Sequence, residues 1–305
     1  MAPCKHKKSP PEQRAGNGIL PGAGYSLRMA HIVILTHTFD EFTQRGYLLR
    51  ELSGHWTTQG HRVSVTEGLE NWPEADIAVL HLDLSLVPDA YVRAGKRYPR
   101  VINGAALDIR KRLVSKIILK RDDDWAGPVI VKTNLNRGGV PEMRYLQMLK
   151  SAGLRSPISQ EGMVFSQQPY SIHASKDEVN PALWENPGIV VERFIPERDP
   201  RGYAMRMWIF LGAAERCSRL LGTDPLIKSG GIIGRELVPV PEELRAERER
   251  LGFDYGKFDF VMHEGRAVLL DANRTPFGPT LADNPALVEE NARLALGIQT
   301  WVRSA

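Results

Sequence analysis

Alternating apolar and polar stretches in the first third of the chain predict a small α/β unit. Four apolar runs have the length of a buried strand: residues 31–37, 62–66, 75–82 and 100–103. Between the first two, residues 45–59 place Leu48, Leu52 and Trp56 on one face at helical spacing. Strands and helices joined by short connections favour a parallel sheet. We therefore predict an α/β (α+β) fold class that begins with a small Rossmann-like parallel-sheet domain, residues 29–105.

Polar residues follow two of these apolar runs. His37 and Asp40 lie at or near the end of the first run, and His81 and Asp83 lie at or near the end of the third. Open α/β sheets bind ligands beyond the carboxyl ends of their strands, so these four residues are candidates for substrate binding. The alternative is that they are ordinary polar residues at strand ends, and the sequence favours that alternative.

A different pattern, apolar strands that contain acidic residues, occurs at residues 258–276. Asp259 lies inside the first of two short strands, and Asp271 and Asn273 lie at the end of the second. Because Asp271 and Asn273 are two residues apart, their side chains point to the same face of the strand. Clustered carboxylate and amide oxygens are the ligands that Mg²⁺ prefers. The alternative is a polar hairpin with solvated acidic residues.

The register of this hairpin decides between the two interpretations. A regular two-residue turn at Glu264 and Gly265 would place Asp259 opposite Leu270 and on the other face from Asp271. A metal site therefore requires a loop of odd length, most simply three residues, or a β-bulge. A regular two-residue hairpin without a bulge would count against a magnesium site.

The middle of the chain contains candidate phosphate ligands. Lys132 ends an apolar strand, and a polar loop with Gly138 and Gly139 follows it. A loop of this kind binds phosphate through backbone N–H groups, and a lysine adds a point charge. Taken alone, Lys132 fits the role of a strand-edge residue as well as that of a phosphate ligand. Arg206 lies among large apolar residues, so it requires an anionic partner from the protein or from a ligand.

Composition narrows the class of protein. Residues 1–28 carry five basic residues and one acidic residue, which gives a charge of five minus one, or +4. This equals the net charge of the whole chain, so the other 277 residues are neutral in sum. We therefore predict a disordered basic tail over residues 1–28, with Met29 as a candidate natural start, and no nucleic-acid-binding face on the body. Apolar runs are too short to span a membrane, and the two cysteines fit a reducing cytoplasm.

Taken in order, these segments resemble the ATP-grasp superfamily. The resemblance rests on the strand that ends at Lys132, the segment Val190 to Ile195, Arg206, and the hairpin that holds Asp259, Asp271 and Asn273. It is strongest to peptide and amino-acid ligases such as the ribosomal protein S6 modification enzymes and the D-alanine ligases. The resemblance implies an ATP-grasp nucleotide-binding and catalytic domain over residues 106–305.

The resemblance also implies which residues contact ATP. Lys132 would contact the phosphates, with Lys116 as a second phosphate lysine and Lys120 as its competitor for that role. The loop at Gly138 and Gly139 would cover the phosphates.

The resemblance assigns the adenine and the transferred phosphoryl group to other residues. Glu192, Arg193, Phe194 and Ile195 would form the hinge over the adenine, largely through backbone groups. Arg206 would steady the phosphoryl group.

In the same way, the hairpin would hold the metal. Asp259, Asp271 and Asn273 would bind one or two Mg²⁺ ions, although relatives usually have Glu at the position of Asp271. Arg274 is a candidate for binding the substrate carboxylate, with a surface salt bridge as the alternative.

The implied activity is an ATP- and Mg²⁺-dependent ligase that joins a carboxylate to an amine through an acyl phosphate, releasing ADP. A phosphotransferase of the same fold and a non-catalytic ATP-binding regulatory module are the alternatives. The expected partners are small-molecule acid and amine substrates, with no nucleic acid and no membrane. The oligomeric state is left open, with a homodimer as one option.

Overall fold

The structure is a computed structural model that describes residues 29–168, 170–278 and 285–302, so the predicted tail, residues 1–28, lies outside the described residues. The strands are β1 (His31–Thr36), β2 (Arg62–Glu67), β3 (Ile77–Leu80), β4 (Val101–Ile102), β5 (Val129–Thr133), β6 (Ser171–His173), β7 (Ile189–Arg193), β8 (Glu197–Asp199), β9 (Gly202–Leu211), β10 (Ala214–Gly222), β11 (Ile232–Leu237), β12 (Tyr255–His263) and β13 (Arg266–Asn273). The helices are α1 (Leu48–Thr58), α2 (Asp89–Gly95), α3 (Lys111–Val114), α4 (Val140–Ser151), α5 (Pro181–Trp184), α6 (Glu242–Arg250), α7 (Pro285–Ala295) and α8 (Gln299–Val302), and short 3₁₀ helices cover Asn136–Gly139, Lys176–Glu178, Ser229–Gly231 and Leu296–Ile298. Among the described helices, none is long and apolar enough to cross a membrane.

The first sheet is parallel, in the order β2-β1-β3-β4, which confirms the predicted α/β class. Its strands β1 and β3 are buried because helices and loops cover both faces. The predicted apolar face of α1 is buried as well, and Trp56 donates its indole N–H to the carbonyl of Ala295 at 2.9 Å. The first sheet and the C-terminal helices therefore share one core.

The largest sheet is antiparallel, in the order β11-β10-β9-β12-β13, with β8 added beside β9. Its two faces bury different cores, as period-two alternation requires. Ile209 and Leu211 of β9 pack in the core that contains Trp56, whereas Trp208 and Phe210 pack in a second core. This sheet carries the acidic hairpin, β12 and β13.

The third sheet has the order β6-β5-β7, and the segment before β5 extends it. Leu119 donates its N–H to the carbonyl of Val191 at 2.8 Å, and Ile118 pairs with Glu192. The basic pattern of residues 107–118 is typical of a helix, but only α3 is helical there. The rest of that segment is not helical, because pairing with β7 extends the backbone around residue 118.

Candidate functional site

The acidic hairpin combines a two-residue turn with a β-bulge. Glu264 and Gly265 have φ angles of 50° and 78°, so the turn is of the kind that demands left-handed residues. The register nevertheless shifts between Asp259 and Phe260, so that Asp259 faces Asp271 while Phe260 faces Leu269. Leu270 is the extra residue of the bulge. The two carboxylates therefore lie opposite each other on one face, as a metal site requires.

Asp259 is half-buried and incompletely paired. Its Oδ2 accepts a hydrogen bond from Lys257 Nζ at 2.6 Å, whereas its Oδ1 is buried with no partner among the described residues. Burial raises the pKa of Asp259, against the opposing charge of Lys257. A buried carboxylate oxygen without a partner is costly, and a bound cation would relieve that cost.

Asp271 is paired with a lysine from a distant part of the chain. Lys111, the first residue of α3, is 1% exposed and donates Nζ to Asp271 Oδ1 at 2.6 Å. Burial alone would lower the pKa of Lys111, but Asp271 and the neighbouring acidic groups together raise it above its ordinary value. The charge of Lys111 is therefore held beside the carboxylate pair.

These residues fit a hard divalent cation. Among the described residues, no three His, Cys, Asp or Glu side chains are grouped so that they could hold a metal ion. The candidate metal ligands are therefore Asp259, Asp271 and a side-chain amide. That amide is Asn273, whose Oδ1 accepts from Thr275 N at 2.8 Å and from Thr275 Oγ1 at 3.3 Å. Two facing carboxylates with an unpaired oxygen match the oxygen ligands that Mg²⁺ takes.

A second buried ion pair stands on the third sheet. Lys132 of β5 is 8% exposed and donates Nζ to Oε2 of Glu192, which is 0% exposed, at 2.6 Å. Glu192 Oε1 is buried with no partner among the described residues. The aromatic ring of Tyr170 lies 5.5 Å from the Lys132 ammonium. Lys132 therefore points into the space between the third sheet and the acidic hairpin.

A cavity of about 1260 Å³ joins these groups. Its wall includes the ion-pair lysines, the facing carboxylates and Leu270 of the bulge; the charged members are Lys111, Lys132, Arg137, Arg144, Lys228, Asp259 and Asp271. Sites for small molecules usually occupy about 300–1,000 Å³, so this space is large enough for a nucleotide beside a second ligand.

Comparisons with known proteins establish the fold. The ATP-grasp ligase PsnB, complexed with a phosphomimetic variant of a minimal precursor, Mg and ADP, aligns with a TM-score of 0.51 and 10% identity over 88% of this chain and 98% of PsnB. PsnB complexed with precursor peptide PsnA2 and AMPPNP aligns equally, at 0.51 and 10% identity over 89% and 98%. The chain has the ATP-grasp fold. At such low identity the likeness concerns the fold and not the reaction.

Other comparisons add little weight. A D-alanine–D-alanine ligase from Bacillus anthracis complexed with ATP aligns with a TM-score of 0.49 and 13% identity over 90% of this chain and 97% of the ligase. No protein-family model matches the chain, and no curated sequence matches it.

Within the ATP-grasp fold, four residues that the sequence predicted line the cavity together: Lys132, Gly138, Asp259 and Asp271. Gly138 has a φ of 70°, and a Cβ on it would lie 2.0 Å from the carbonyl oxygen of Ser166. Gly138 thus allows residues 165–168 to pack against the cavity wall. Gly139, with a φ of 71°, precedes α4 and does not line the cavity.

The predicted hinge residues lie beside the cavity and not in its wall. Glu192 is connected to the cavity by its ion pair with Lys132, which lines the wall. Arg193 places its guanidinium 5.0 Å from the ring of Trp125, and Phe194 donates its N–H to the carbonyl of Pro128. Phe194 and Ile195 are half-buried. An adenine hinge at residues 192–195 stays a prediction.

The two lysines that the sequence offered as a second phosphate ligand, Lys116 and Lys120, do not line the cavity. Lys116 is 65% exposed, contacts Glu247 and lines a separate depression together with Lys120. Lys111 lies in the cavity instead. Lys111 belongs to a run of basic residues, and no local sequence pattern marks Asp271 as its partner. The position of Lys116 does not support its predicted role, and Lys111 is the lysine that lies beside Lys132 in the cavity wall.

Arg206 lies on the opposite face of the large sheet from the carboxylate pair. It is opposite Phe260, whereas Asp259 is opposite Met207. Its guanidinium donates to Glu197, with a shortest distance of 3.0 Å. The anionic partner of Arg206 is thus a protein carboxylate, and the structure contradicts a direct role on the phosphoryl group.

Arg274 is also unavailable to a substrate. It is 0% exposed, and its guanidinium donates to the backbone carbonyls of Leu82, Leu84 and Ala106. These contacts tie the end of β13 to the loop after β3. The structure contradicts the suggested role of Arg274 in carboxylate binding, and Arg274 instead positions the acidic hairpin against the first sheet.

Three of the four strand-end residues of the first sheet, His37, Asp40 and Asp83, belong to a buried polar network, whereas both ring nitrogens of His81 are buried without a hydrogen-bond partner among the described residues. Asp40 is 0% exposed, and its Oδ2 lies 3.3 Å from both His37 Nε2 and Tyr47 Oη. Asp83 accepts from Arg45 at 3.1 Å and from Thr275 Oγ1 at 2.9 Å. The network therefore joins the first sheet to the residue that follows Arg274.

Proposed function

We propose that the protein is an ATP- and Mg²⁺-dependent ligase that joins a carboxylate to an amine. The proposal rests on one arrangement: Asp259 and Asp271 face each other on the wall of a large cavity that also contains two buried lysines, Lys111 and Lys132. Hard oxygen ligands beside lysines suit a metal-bound polyphosphate. The ATP-grasp fold is consistent with this activity.

Different residues of the site would bind the ATP phosphates and the metal ion. Lys111 and Lys132 are fixed by their carboxylate partners and would bind the ATP phosphates as point charges. Asp259, Asp271 and Asn273 would hold Mg²⁺, which supplies charge neutralisation when bound. Residues 165–168 and Lys228 line the same cavity and would enclose the phosphates.

The proposed reaction has two displacements. An oxygen of the acid attacks the γ-phosphorus of ATP, the bond from that phosphorus to the bridging oxygen breaks, and ADP leaves with the electron pair. The acyl phosphate is then attacked at carbon by the amine, which loses a proton as the carbon–oxygen bond to phosphate breaks. The products are an amide, ADP and phosphate. Fixed positive charge at the cavity wall favours both steps because negative charge accumulates on the phosphoryl oxygens.

The test measures ADP and phosphate with pools of acids and amines. Release of both products that depends on an acid and an amine supports ligation, and loss of that release in Asp259→Asn supports the site. Asp124→Asn is the matched control, because Asp124 is exposed and does not line the cavity. ADP without phosphate release would replace ligation by phosphotransfer. Formation of AMP, or tight ATP binding without turnover, would overturn the proposal.

A further inference from the structure

Helix α4 is anchored to the first sheet by one of its faces. Tyr145 and Leu149 are buried in the core that contains Val33 and Leu35 of β1. The Glu142 carboxylate, 2% exposed, accepts the backbone N–H of Ser85 at 2.5 Å. Buried contacts of this kind hold the helix in one position.

The opposite face of α4 forms part of the cavity wall. Val140, Met143, Arg144 and Gln147 line the cavity, and their spacing is that of one helical face. Arg137, from the 3₁₀ helix before α4, lines the cavity as well. The anchored helix and the 3₁₀ helix before it therefore each contribute one arginine to the wall of the cavity that holds the facing carboxylates.

These two arginines differ from the buried lysines Lys111 and Lys132 in having no close carboxylate partner. Lys111 and Lys132 each have one at 2.6 Å. Arg144 has no ion-pair partner within the described residues, and the closest carboxylate to Arg137 is that of Asp83 at 3.9 Å. The Arg137 guanidinium lies 4.9 Å from the ring of Phe277, a contact that leaves its edge free.

We propose that Arg137 and Arg144 form the subsite for the acid substrate, and that this acid carries a second carboxylate. This inference rests on the proposed ligase function. The carboxylate that reacts becomes an acyl phosphate and then an amide, so it cannot hold the substrate through both steps. A second carboxylate, bound to the guanidinium fork, keeps the acid in place while the first one reacts. The cavity volume accommodates such an acid beside the nucleotide.

Direct binding tests the subsite separately from turnover. Isothermal titration with succinate, glutarate and adipate, against their monomethyl esters, is carried out with and without Mg²⁺-ADP at constant free Mg²⁺. We expect at least one diacid to bind about tenfold more tightly than its monoester, because an ester cannot accept the charge-assisted hydrogen bonds that a guanidinium donates to a carboxylate. Arg144→Gln should remove that preference, and Arg144→Lys should restore part of it.

The controls separate the acid from the nucleotide. Lys150→Gln, an exposed residue of α4 outside the cavity wall, should change nothing. The affinity of ATP should be unchanged in Arg144→Gln, and an equal loss for ATP and diacid would assign the arginine to the nucleotide and overturn the inference. Equal binding of diacids and monoesters, or no saturable binding of any diacid, would overturn it too. Arg144-dependent diacid binding without ATP turnover would leave the subsite standing and refute the ligase function.

Discussion

The ion pair between Lys132 and Glu192 predicts that replacing the lysine affects stability as well as turnover. Both side chains are buried and their charged atoms are 2.6 Å apart. In Lys132→Met, Glu192 keeps its charge but loses its partner, and its second oxygen is already unpaired. Breaking a buried pair in this way typically costs about 3–5 kcal/mol. We expect a loss of unfolding free energy in that range.

A double-mutant cycle isolates the interaction from the loss of the side chain. In Lys132→Met combined with Glu192→Gln, no uncompensated charge remains, so the double variant should lose only about 1–2 kcal/mol. The coupling energy of the cycle should then be about 2 kcal/mol or more. Lys132→Met and the double variant should both lose ATP turnover, because the phosphate lysine is absent from each.

Equilibrium unfolding in urea, followed by tryptophan fluorescence, measures these differences where the transition is single and its slope is unchanged. Lys116→Met is the matched control. Lys116 is 65% exposed and lies outside the cavity wall, so this variant should change stability by less than about 1 kcal/mol and keep its turnover. If Lys132→Met is as stable as the double variant or more stable, the reasoning is refuted. The unpaired charge of Glu192 would then have no energetic cost.

Three further predictions concern other buried polar groups. Asp259→Asn should abolish Mg²⁺-dependent turnover without lowering the unfolding free energy. Wild-type turnover should decline with falling pH earlier than an ordinary aspartate would allow, because burial raises the pKa of Asp259 and a metal ligand must be ionised. A pH–rate profile that is flat down to about pH 4 would contradict this expectation. Arg274→Met should lower the unfolding free energy by on the order of 3 kcal/mol, because three buried carbonyls lose their donor, while the Michaelis constants of the folded protein stay unchanged. Burial, and next the charge of Asp83, raises the pKa of Asp40 to about 8, so between about pH 4 and that value the folded state holds a proton that the unfolded state has lost. Wild-type stability relative to Asp40→Asn should therefore fall as the pH rises through this window, and parallel stability–pH curves for the two proteins would argue against a buried neutral Asp40.

The sequence predicted those parts of the site that depend on local periodicity. A strand fixes the direction of every second side chain, so Asp271 and Asn273 were expected on one face, and the strand of Lys132 was recognisable from its apolar run. The same rule showed that a two-residue turn would separate Asp259 from Asp271 unless a bulge intervened. The structure contains that turn and that bulge, with Leu270 as the inserted residue.

Partners that lie far apart in the chain were decided by the tertiary structure alone. Lys111 is 160 residues from Asp271, and nothing near Lys111 in the sequence distinguishes it from Lys116. Arg206 was expected to need an anionic partner and Arg274 to bind a substrate carboxylate, but Glu197 and three backbone carbonyls accept their hydrogen bonds instead of a ligand. The direction of a side chain follows from backbone geometry, which is local. The group that compensates a buried charge is chosen by which segments pack together, and only the folded chain brings those segments into contact.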